Sequence, residues 1–250
     1  MSTLSVYSFR GVRVFYGDAV KGADVFVTGF RGFGAVGYIT TLHLVEKLGC
    51  ERAGFIAPKY MPEEVTVDSR KGIVSAFTLY GCRAGDRRVA VLVNHDVPVV
   101  HDRARFAEAI VRWLREAASI PEAVLVGGFD SRFRSGEESL RWVATSAYPR
   151  RLEEPVMEQG LYVIGPLALL LFYAEVYGYP AVALLPYAEA SRPDPRAAAV
   201  AVRKIGELYG VGVSVEDLLE EAKKIEEMIS MMEKQQREAM TGGAPERVYM

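Results

Sequence analysis

The chain has 250 residues, of which 50% are hydrophobic and 25% are charged, and its formal net charge is −2. This length suits one large α/β domain or one domain with an appendage, and the composition excludes global disorder. The small net charge does not favour nucleic acid or an acidic membrane surface as a partner. Residues 1–18 contain no continuous apolar segment, so no signal peptide is expected. The longest apolar run, residues 161–176, contains Gly165, Pro166 and Glu175 and is too short to span a bilayer.

The two cysteines, Cys50 and Cys82, belong to no CxxC motif and have no histidine cluster nearby. This spacing indicates neither a zinc site nor a disulfide framework, so we predict that both side chains pack as small apolar groups. Such packing fits a reducing cytoplasm. The chain contains one asparagine, Asn94, and three glutamines, and this depletion of thermolabile amides points to a heat-adapted source.

Apolar runs that alternate with helical patterns predict an α/β architecture. In chain order, strands are predicted at residues 12–18, 23–30, 52–58, 72–82, 86–99, 122–129, 141–147, 162–165 and 179–188. Helices are predicted at residues 35–49, at residues 102–118, from Pro166 onward, and between the turn at 191–195 and Gly210. The central strands are apolar throughout, which is typical of a doubly wound, mostly parallel sheet with both faces covered. Residues 1–210 are therefore predicted to form one α/β domain.

A final helix is predicted over residues 215–240, because no Gly or Pro interrupts this stretch and Ser214 is a good N-cap. Its apolar residues follow the 4-3-4-3 spacing of a coiled-coil seam, formed by Leu218, Ala222, Ile225, Ile229 and Met232. Such a helix can pack on its own domain or against copies of itself. We expect the first half to dock on the domain and the second half to project as a stalk. Residues 211–240 would then form a helical appendage, and residues 241–250 a tail.

A glycine motif separates the second predicted strand from the first helix. Gly32, Gly34 and Gly37 match the GxGxxG pattern of a dinucleotide fingerprint, in which a pyrophosphate approaches the helix N-terminus. The next strand, however, ends in Pro58 and Lys59 rather than in the acidic residue that would hold a ribose. The alternative is a structural turn, in which a close strand–helix crossing requires small residues. We favour the structural turn, and a nucleotide-binding α/β enzyme is the competing function.

Two His-Asp pairs are candidate polar site residues: His95-Asp96 at a strand end and His101-Asp102 at a helix start. The third histidine, His43, lies within a predicted helix, so no third metal ligand is evident. The sequence has no GxSxG elbow, P-loop or HExxH motif. We therefore predict no catalytic residues, no metal and no cofactor.

Two segments resemble the signatures of a known family. The sequence VFVTGFRGFGAVG, followed by a helix, resembles the N-terminal signature of the proteasome assembly chaperone 2 family. The PDP-x-AA turn at Pro193 to Ala198 resembles the C-terminal signature of the same family. The resemblance covers residues 23–235, and it is to the archaeal type called proteasome-assembling chaperone homologue B.

The resemblance implies a doubly wound, phosphorylase/hydrolase-like α/β sheet without a recognised catalytic site. It implies an ATP-independent chaperone or activator of the 20S proteasome, which forms homo-oligomers (trimers or tetramers). It also leaves room for unfolded client proteins as partners, although the sequence names no residues for them.

The chain ends in TGGAPERVYM, so three apolar or aromatic residues follow a polar segment that contains Gly and Pro. Members of the resembled type end in a hydrophobic residue, a tyrosine and any residue, and Val248, Tyr249 and Met250 match these positions. The resemblance implies that this tail docks on the α-ring of the 20S proteasome, with the preceding segment as a flexible tether. Considered without the resemblance, a frayed terminus is the alternative interpretation.

Overall fold

The computed structural model describes residues 4–68 and 72–241, with the backbone alone at residue 68 and at residues 233–241. Its strands are β1 Ser5–Phe9, β2 Val12–Tyr16, β3 Val25–Gly29, β4 Glu51–Ala57, β5 Val65–Asp68, β6 Gly72–Ser75, β7 Phe77–Ala84, β8 Arg87–Asn94, β9 Ala123–Val126, β10 Phe129–Asp130, β11 Leu140–Ala144 and β12 Ala181–Ala188. Its α-helices are α1 Val36–Lys47, α2 Arg103–Trp113, α3 Pro166–Val176, α4 Pro195–Tyr209 and α5 Glu216–Thr241.

Ten of these strands form one mixed sheet in the order β1-β2-β4-β7-β8-β3-β9-β12-β10, with β11 also paired to β12. Strands β8, β3, β9 and β12 run parallel at its centre. The pairs from β8 to the β1 edge are antiparallel, as is β11 with β12, whereas β10 pairs in parallel with β12. Two of the antiparallel pairs arise from tight turns, at Gly11 (φ 86°) between β1 and β2 and at Gly85 (φ 58°) between β7 and β8. A tight turn joins only antiparallel neighbours, so parallel pairing is confined to the strands with longer connections.

Helices cover both faces of the sheet. Helices α2 and α3 cover one face, where the rings of Phe106 and Phe77 lie 4.8 Å apart and Trp113 packs edge-on against Phe26. Helices α1 and α4 and the start of α5 cover the other face, around Leu44 and other buried side chains. The predicted α/β class, with a large covered sheet and a C-terminal helix, is confirmed. In the described part of the chain, no helix is long and apolar enough to cross a membrane.

Some local structure differs from the sequence-based prediction. The single strand predicted at 72–82 is broken at Ala76 into β6 and β7, and β6 pairs with β5 in a separate hairpin. No strand forms at 162–165, where the chain is irregular until Gly165, which has a φ of 75°, and Pro166 starts α3. The β-branched residues there favour a strand, but Ile164 is 69% exposed and pairs with no neighbouring strand that the structure describes.

Cys50 and Cys82 form a disulfide, so the prediction that they pack as free apolar side chains is wrong. The antiparallel register of β4 and β7 pairs Glu51 with Gly81, which places the two cysteines opposite each other at the next position. Their Cα atoms lie 4.4 Å apart, within the usual range for a disulfide. The bond ties β4 to β7 and closes the loop that carries the β5–β6 hairpin.

Reducing the disulfide is expected to destabilise the protein. A cross-link across a sequence separation of 32 residues restricts the unfolded chain and contributes about 3–4 kcal/mol in the loop-entropy treatment. Dithiothreitol should therefore lower the midpoint of guanidinium unfolding, measured by circular dichroism. The double variant Cys50→Ala/Cys82→Ala is the control, because its midpoint should not respond to the reductant. An identical midpoint for oxidised and reduced wild-type protein would contradict the expectation.

Candidate functional site

The carboxyl ends of the parallel strands β8, β3 and β9 open onto one edge of the sheet, which we call the carboxyl edge. In α/β proteins ligands commonly bind outside this edge. The glycine turn follows β3 there, and His95-Asp96 follows β8. Two cavities lie along the edge: a polar cavity of about 520 Å³ and an apolar cavity of about 780 Å³. Arg31, which follows β3, lines both cavities.

Protein atoms fill the space beside two of the three motif glycines. A Cβ on Gly37 would lie 2.3 Å from the Val126 carbonyl oxygen and 2.8 Å from the Gly29 Cα. Gly34 has a φ of 62°, and a Cβ there would lie 2.8 Å from the Ala188 Cβ. Backbone packing accounts for Gly37. At Gly34, where the fingerprint would need room for a pyrophosphate, the side chains of Ala188 and Asp194 lie close instead. A Cβ on Gly32, by contrast, meets no atom within 4 Å.

The glycine turn is joined to the PDP turn that precedes α4. The Asp194 backbone N–H donates to the Gly34 carbonyl oxygen (2.8 Å), and the Asp194 carboxylate accepts from the Ala197 N–H (2.9 Å) as the N-cap of α4. Pro195 occupies the first turn of the helix, where its missing N–H costs no hydrogen bond. The two segments that carry the family resemblance therefore form one contact, which fixes where α1 and α4 start.

The polar cavity is lined by hydrogen-bonding side chains, among them Arg31, Tyr38, Glu64, Ser75, His95 and Asp96. The Tyr38 hydroxyl lies 3.3 Å from His95 Nδ1, while Nε2 is buried and has no partner among the described residues. Burial lowers the pKa of His95, and the Arg31 guanidinium lowers it further, so the ring is neutral near pH 7. Within the described part of the chain, no serine, threonine or cysteine side chain hydrogen-bonds to His95, whose only side-chain partner there is Tyr38. The cavity can hold a polar group, but it lacks an assembled nucleophile and base.

The second His-Asp pair has a structural role. Asp102 is fully buried, and its carboxylate accepts from the Tyr60 N–H (3.0 Å) and pairs with Arg105 (3.4 Å). It thereby fixes the segment before the β5–β6 hairpin, while His101 is exposed. Across residues 4–68 and 72–241, no group of three His, Cys, Asp or Glu side chains could hold a metal ion.

The apolar cavity lies over the ends of β3 and β9. Phe30, Phe129, Leu167 and Leu185 form buried parts of its wall, and Gly127 and Gly128 follow β9 along it. Residues before α3 complete the opposite side, where Tyr162 is 83% exposed. Its volume falls within the range of small-molecule sites, about 300–1,000 Å³.

Helix α5 docks its first turns on the other helices. Leu218 is buried in the core that α1 and α4 share, and Ala222, one turn further along the helix, is buried as well. Asp217 pairs with Lys47 of α1, and Glu226 pairs with Arg196 at the start of α4 (2.8 Å). These contacts show that α5 runs antiparallel to α4 and reaches the carboxyl edge near residue 226.

The second half of α5 is more exposed. Ile225 and Ile229 are half-buried, whereas Met232 is 62% exposed. Met228 and Met231 are exposed to a similar extent. The predicted seam thus changes from buried to exposed along the helix.

Ser214 accepts from the Glu216 N–H (3.3 Å), as a capping side chain does. The predicted docking residues Val248, Tyr249 and Met250 lie outside the described residues.

Comparison with known proteins places this architecture in a family. The PAC2 family model matches residues 26–233 of the chain. The chain belongs to the PAC2 family. An uncharacterized protein of Methanocaldococcus jannaschii is 23% identical to this PAC2 chain over 220 residues, which cover 86% of this chain and 84% of the relative.

Two solved structures from Pyrococcus furiosus share the PAC2 fold. PbaA, described as an archaeal homolog of proteasome-assembly chaperone, matches with a TM-score of 0.75 and 22% identity, over 93% of this chain and 96% of PbaA. PbaB, described as an archaeal proteasome activator, matches with a TM-score of 0.73 and 18% identity, over 93% of this chain and all of PbaB. At this identity the likeness establishes the fold.

Reasoning from the sequence missed the apolar cavity of this PAC2 chain. Phe129, Leu161 and Arg103 line it from three separate parts of the chain, and none belongs to a motif. The pair Gly127-Gly128 directly after a buried strand was the available signal, because small residues at a strand end leave room outside the sheet. The irregular segment around Leu161 offered no such signal, since its composition favours a strand.

Replacement of Gly37 by alanine is expected to destabilise the protein by about 1–3 kcal/mol, because the added methyl group would overlap backbone atoms that cannot rotate away. Gly32→Ala is the matched control in the same turn, and it should change the free energy of unfolding by less than about 0.5 kcal/mol. Urea unfolding of both variants measures the difference. Equal stability of the two variants would show that the close crossing is not required.

Proposed function

We propose that this PAC2 protein is a non-enzymatic, ATP-independent chaperone or activator of the 20S proteasome. It would dock on the α-ring through Val248, Tyr249 and Met250. The observation that carries the proposal is the course of α5, which is anchored on α4 at one end and exposed at the other. The descriptions of PbaA and PbaB support the same class of function.

Helix α5 is suited to carry a docking tail away from the domain. Beyond Glu226, which makes the last ion pair with the domain among the described side chains, the helix continues to Thr241. At 1.5 Å per residue, this part of the helix is about 22 Å long. The nine residues that follow could extend by at most about 30 Å. The docking residues could thus reach a partner without contact between that partner and the α/β domain.

The chemistry of the last three residues fits a pocket between proteasome α-subunits. A terminal carboxylate can pair with a lysine in such a pocket. Tyr249 combines an apolar ring with a hydroxyl that can donate a hydrogen bond, and Val248 can bury its side chain at the rim. So small a contact binds weakly, on the order of millimolar, because little area is buried and the tail must be ordered.

Self-association would compensate for the weakness of a single tail. Several tails on one oligomer raise the effective concentration, and avidity can exceed single-tail affinity by roughly a hundredfold. The apolar residues of α5 that remain exposed, Met228, Met231 and Met232, are candidates for packing between copies. We propose a homo-oligomer on these grounds, with trimers and tetramers as the sizes that the family resemblance implies.

We propose a cytoplasmic location in a heat-adapted cell. The disulfide between Cys50 and Cys82 would be unusual in a mesophilic cytoplasm, but intracellular disulfides are frequent in hyperthermophiles. The scarcity of Asn and Gln in the sequence supports the same source.

The geometry of the carboxyl edge weakens the competing proposal of a nucleotide-binding enzyme. Gly34 and Gly37 are packed against protein atoms, and no serine, threonine or cysteine side chain hydrogen-bonds to His95 in the part of the chain that the structure describes. On the present proposal, ATP and NAD leave the melting temperature of the protein unchanged in a thermal-shift assay.

Removal of residues 248–250 is expected to abolish binding to an archaeal 20S proteasome, measured by surface plasmon resonance, and to leave the fold and the oligomeric state unchanged. Tyr249→Ala should weaken binding by roughly tenfold or more, because an aromatic anchor is lost. A change in peptide hydrolysis by the same mixtures would distinguish an activator from an assembly factor.

Met250→Ala is the matched control, because the last position of the tail pattern accepts any residue, and its binding should equal that of the wild type. A glycine added after Met250 moves the carboxylate by one residue and should weaken binding. If the truncated chain still binds, the interface lies on the α/β domain and the tail proposal is refuted.

A further inference from the structure

The apolar cavity at the carboxyl edge has a wall charge that is only partly neutralised. Three arginines line it, Arg31, Arg103 and Arg132, and a single carboxylate, that of Asp130. Arg132 engages this carboxylate through its Nε (3.0 Å) and Nη2 (2.6 Å), and this contact lowers the pKa of Asp130. The residues that line the cavity therefore include one internal ion pair and two further arginines, of which Arg31 lies at the boundary with the polar cavity and lines both.

The other two guanidinium groups have no carboxylate within 4 Å among the side chains that the structure describes. Arg31 stacks over the Tyr38 ring, with its Cζ 4.2 Å from the ring centroid. Arg103 donates from Nε to the Pro98 carbonyl oxygen (2.9 Å), which holds its side chain at the wall. Its two terminal nitrogens make no hydrogen bond with the residues that the structure describes. Guanidinium groups in this state are well suited to bind a carboxylate or a phosphate.

The rest of the cavity is suited to an apolar group. Its deep wall is formed by aromatic and aliphatic side chains, and its mouth is bordered by exposed Tyr162 and Ile164. Binding of a ligand that displaces water from such an apolar surface lowers the free energy of the system. A ligand that pairs with the arginines and also covers the apolar wall must carry an anionic group and an apolar group.

We propose that the apolar cavity binds a small amphipathic anion. A hydrocarbon body, alkyl or aryl, would lie against Phe30, Phe129 and Leu185, and a carboxylate or phosphate head would bind at Arg31 and Arg103. This site is separate from the C-terminal tail, and the proposal does not depend on proteasome binding.

The test uses 8-anilinonaphthalene-1-sulfonate, a fluorescent aromatic anion, and the full chain. The dye should bind with a stoichiometry of one per protomer. Decanoate and decyl phosphate should displace it at concentrations roughly tenfold lower than decyltrimethylammonium, which has the same chain and the opposite charge. The ratio of the concentrations at which decanoate and decyl phosphate displace the dye shows which head group the arginines prefer. Equal displacement by the anions and the cation would overturn the proposal.

Two variants test the assignment to this cavity. Arg31→Met should weaken decanoate binding by roughly tenfold, while Arg13→Met should not change it. Arg13 is the matched control because its guanidinium also stacks on a ring, that of Phe15, and it does not line the cavity. Gly32→Leu places a side chain at the open position of the cavity wall and should reduce dye binding, whereas Gly212→Leu, at another open glycine, should not.

Other occupants would give distinct results. If a chain without residues 248–250 binds the dye more tightly than the full chain, the cavity holds the chain's own tail. If decanoate converts the oligomer into smaller species in sedimentation velocity, the cavity holds a second copy of the protein. Either result, or unchanged decanoate binding by Arg31→Met, would overturn the assignment to a small anion.

Discussion

The rest of the architecture depends on a contact between backbone atoms at the start of α1. Gly37 and Gly29 let the helix begin directly against β3 and the Val126 carbonyl of β9, at a distance that no larger residue permits. The hydrogen bond from Asp194 to Gly34 then ties the start of α4 to the same turn. Because α5 is anchored along α4, this one contact also determines where α5 passes the carboxyl edge. The position of the helix that leads to the tail is thus set by backbone packing more than 150 residues earlier in the sequence.

The fold was predictable where burial is uniform. Strands β3 and β12 are buried at every position, and their unbroken apolar sequences indicate central strands covered on both faces. The start of α4 was predictable as well, because Asp194 and Pro195 are local helix-start signals. In each case the information lies in neighbouring residues.

The features that could not be predicted depend on contacts between distant residues. The disulfide requires the register of β4 on β7, which also contains an irregularity between Arg52 and Gly54. The choice between a structural and a nucleotide-binding glycine turn depends on Val126, which is far from Gly37 in sequence. The apolar cavity is built from five separate chain segments, and its two arginines without a carboxylate partner carry no local signal. Local patterns contain none of this information, since they do not encode register or the approach of distant backbone atoms.

The carboxyl edge and α5 suggest how an enzyme-like fold can serve a binding protein. The edge has cavities in the place where α/β enzymes bind ligands, but protein atoms pack closely against Gly34 and Gly37. Among the described residues, no serine, threonine or cysteine side chain hydrogen-bonds to His95. Docking, in our proposal, is assigned to the end of the chain, which α5 carries beyond this edge. In this proposal the partner's pocket recognises the tail itself, so the domain needs to supply only the position and the number of the tails. This division leaves the carboxyl edge free to retain a small-molecule site.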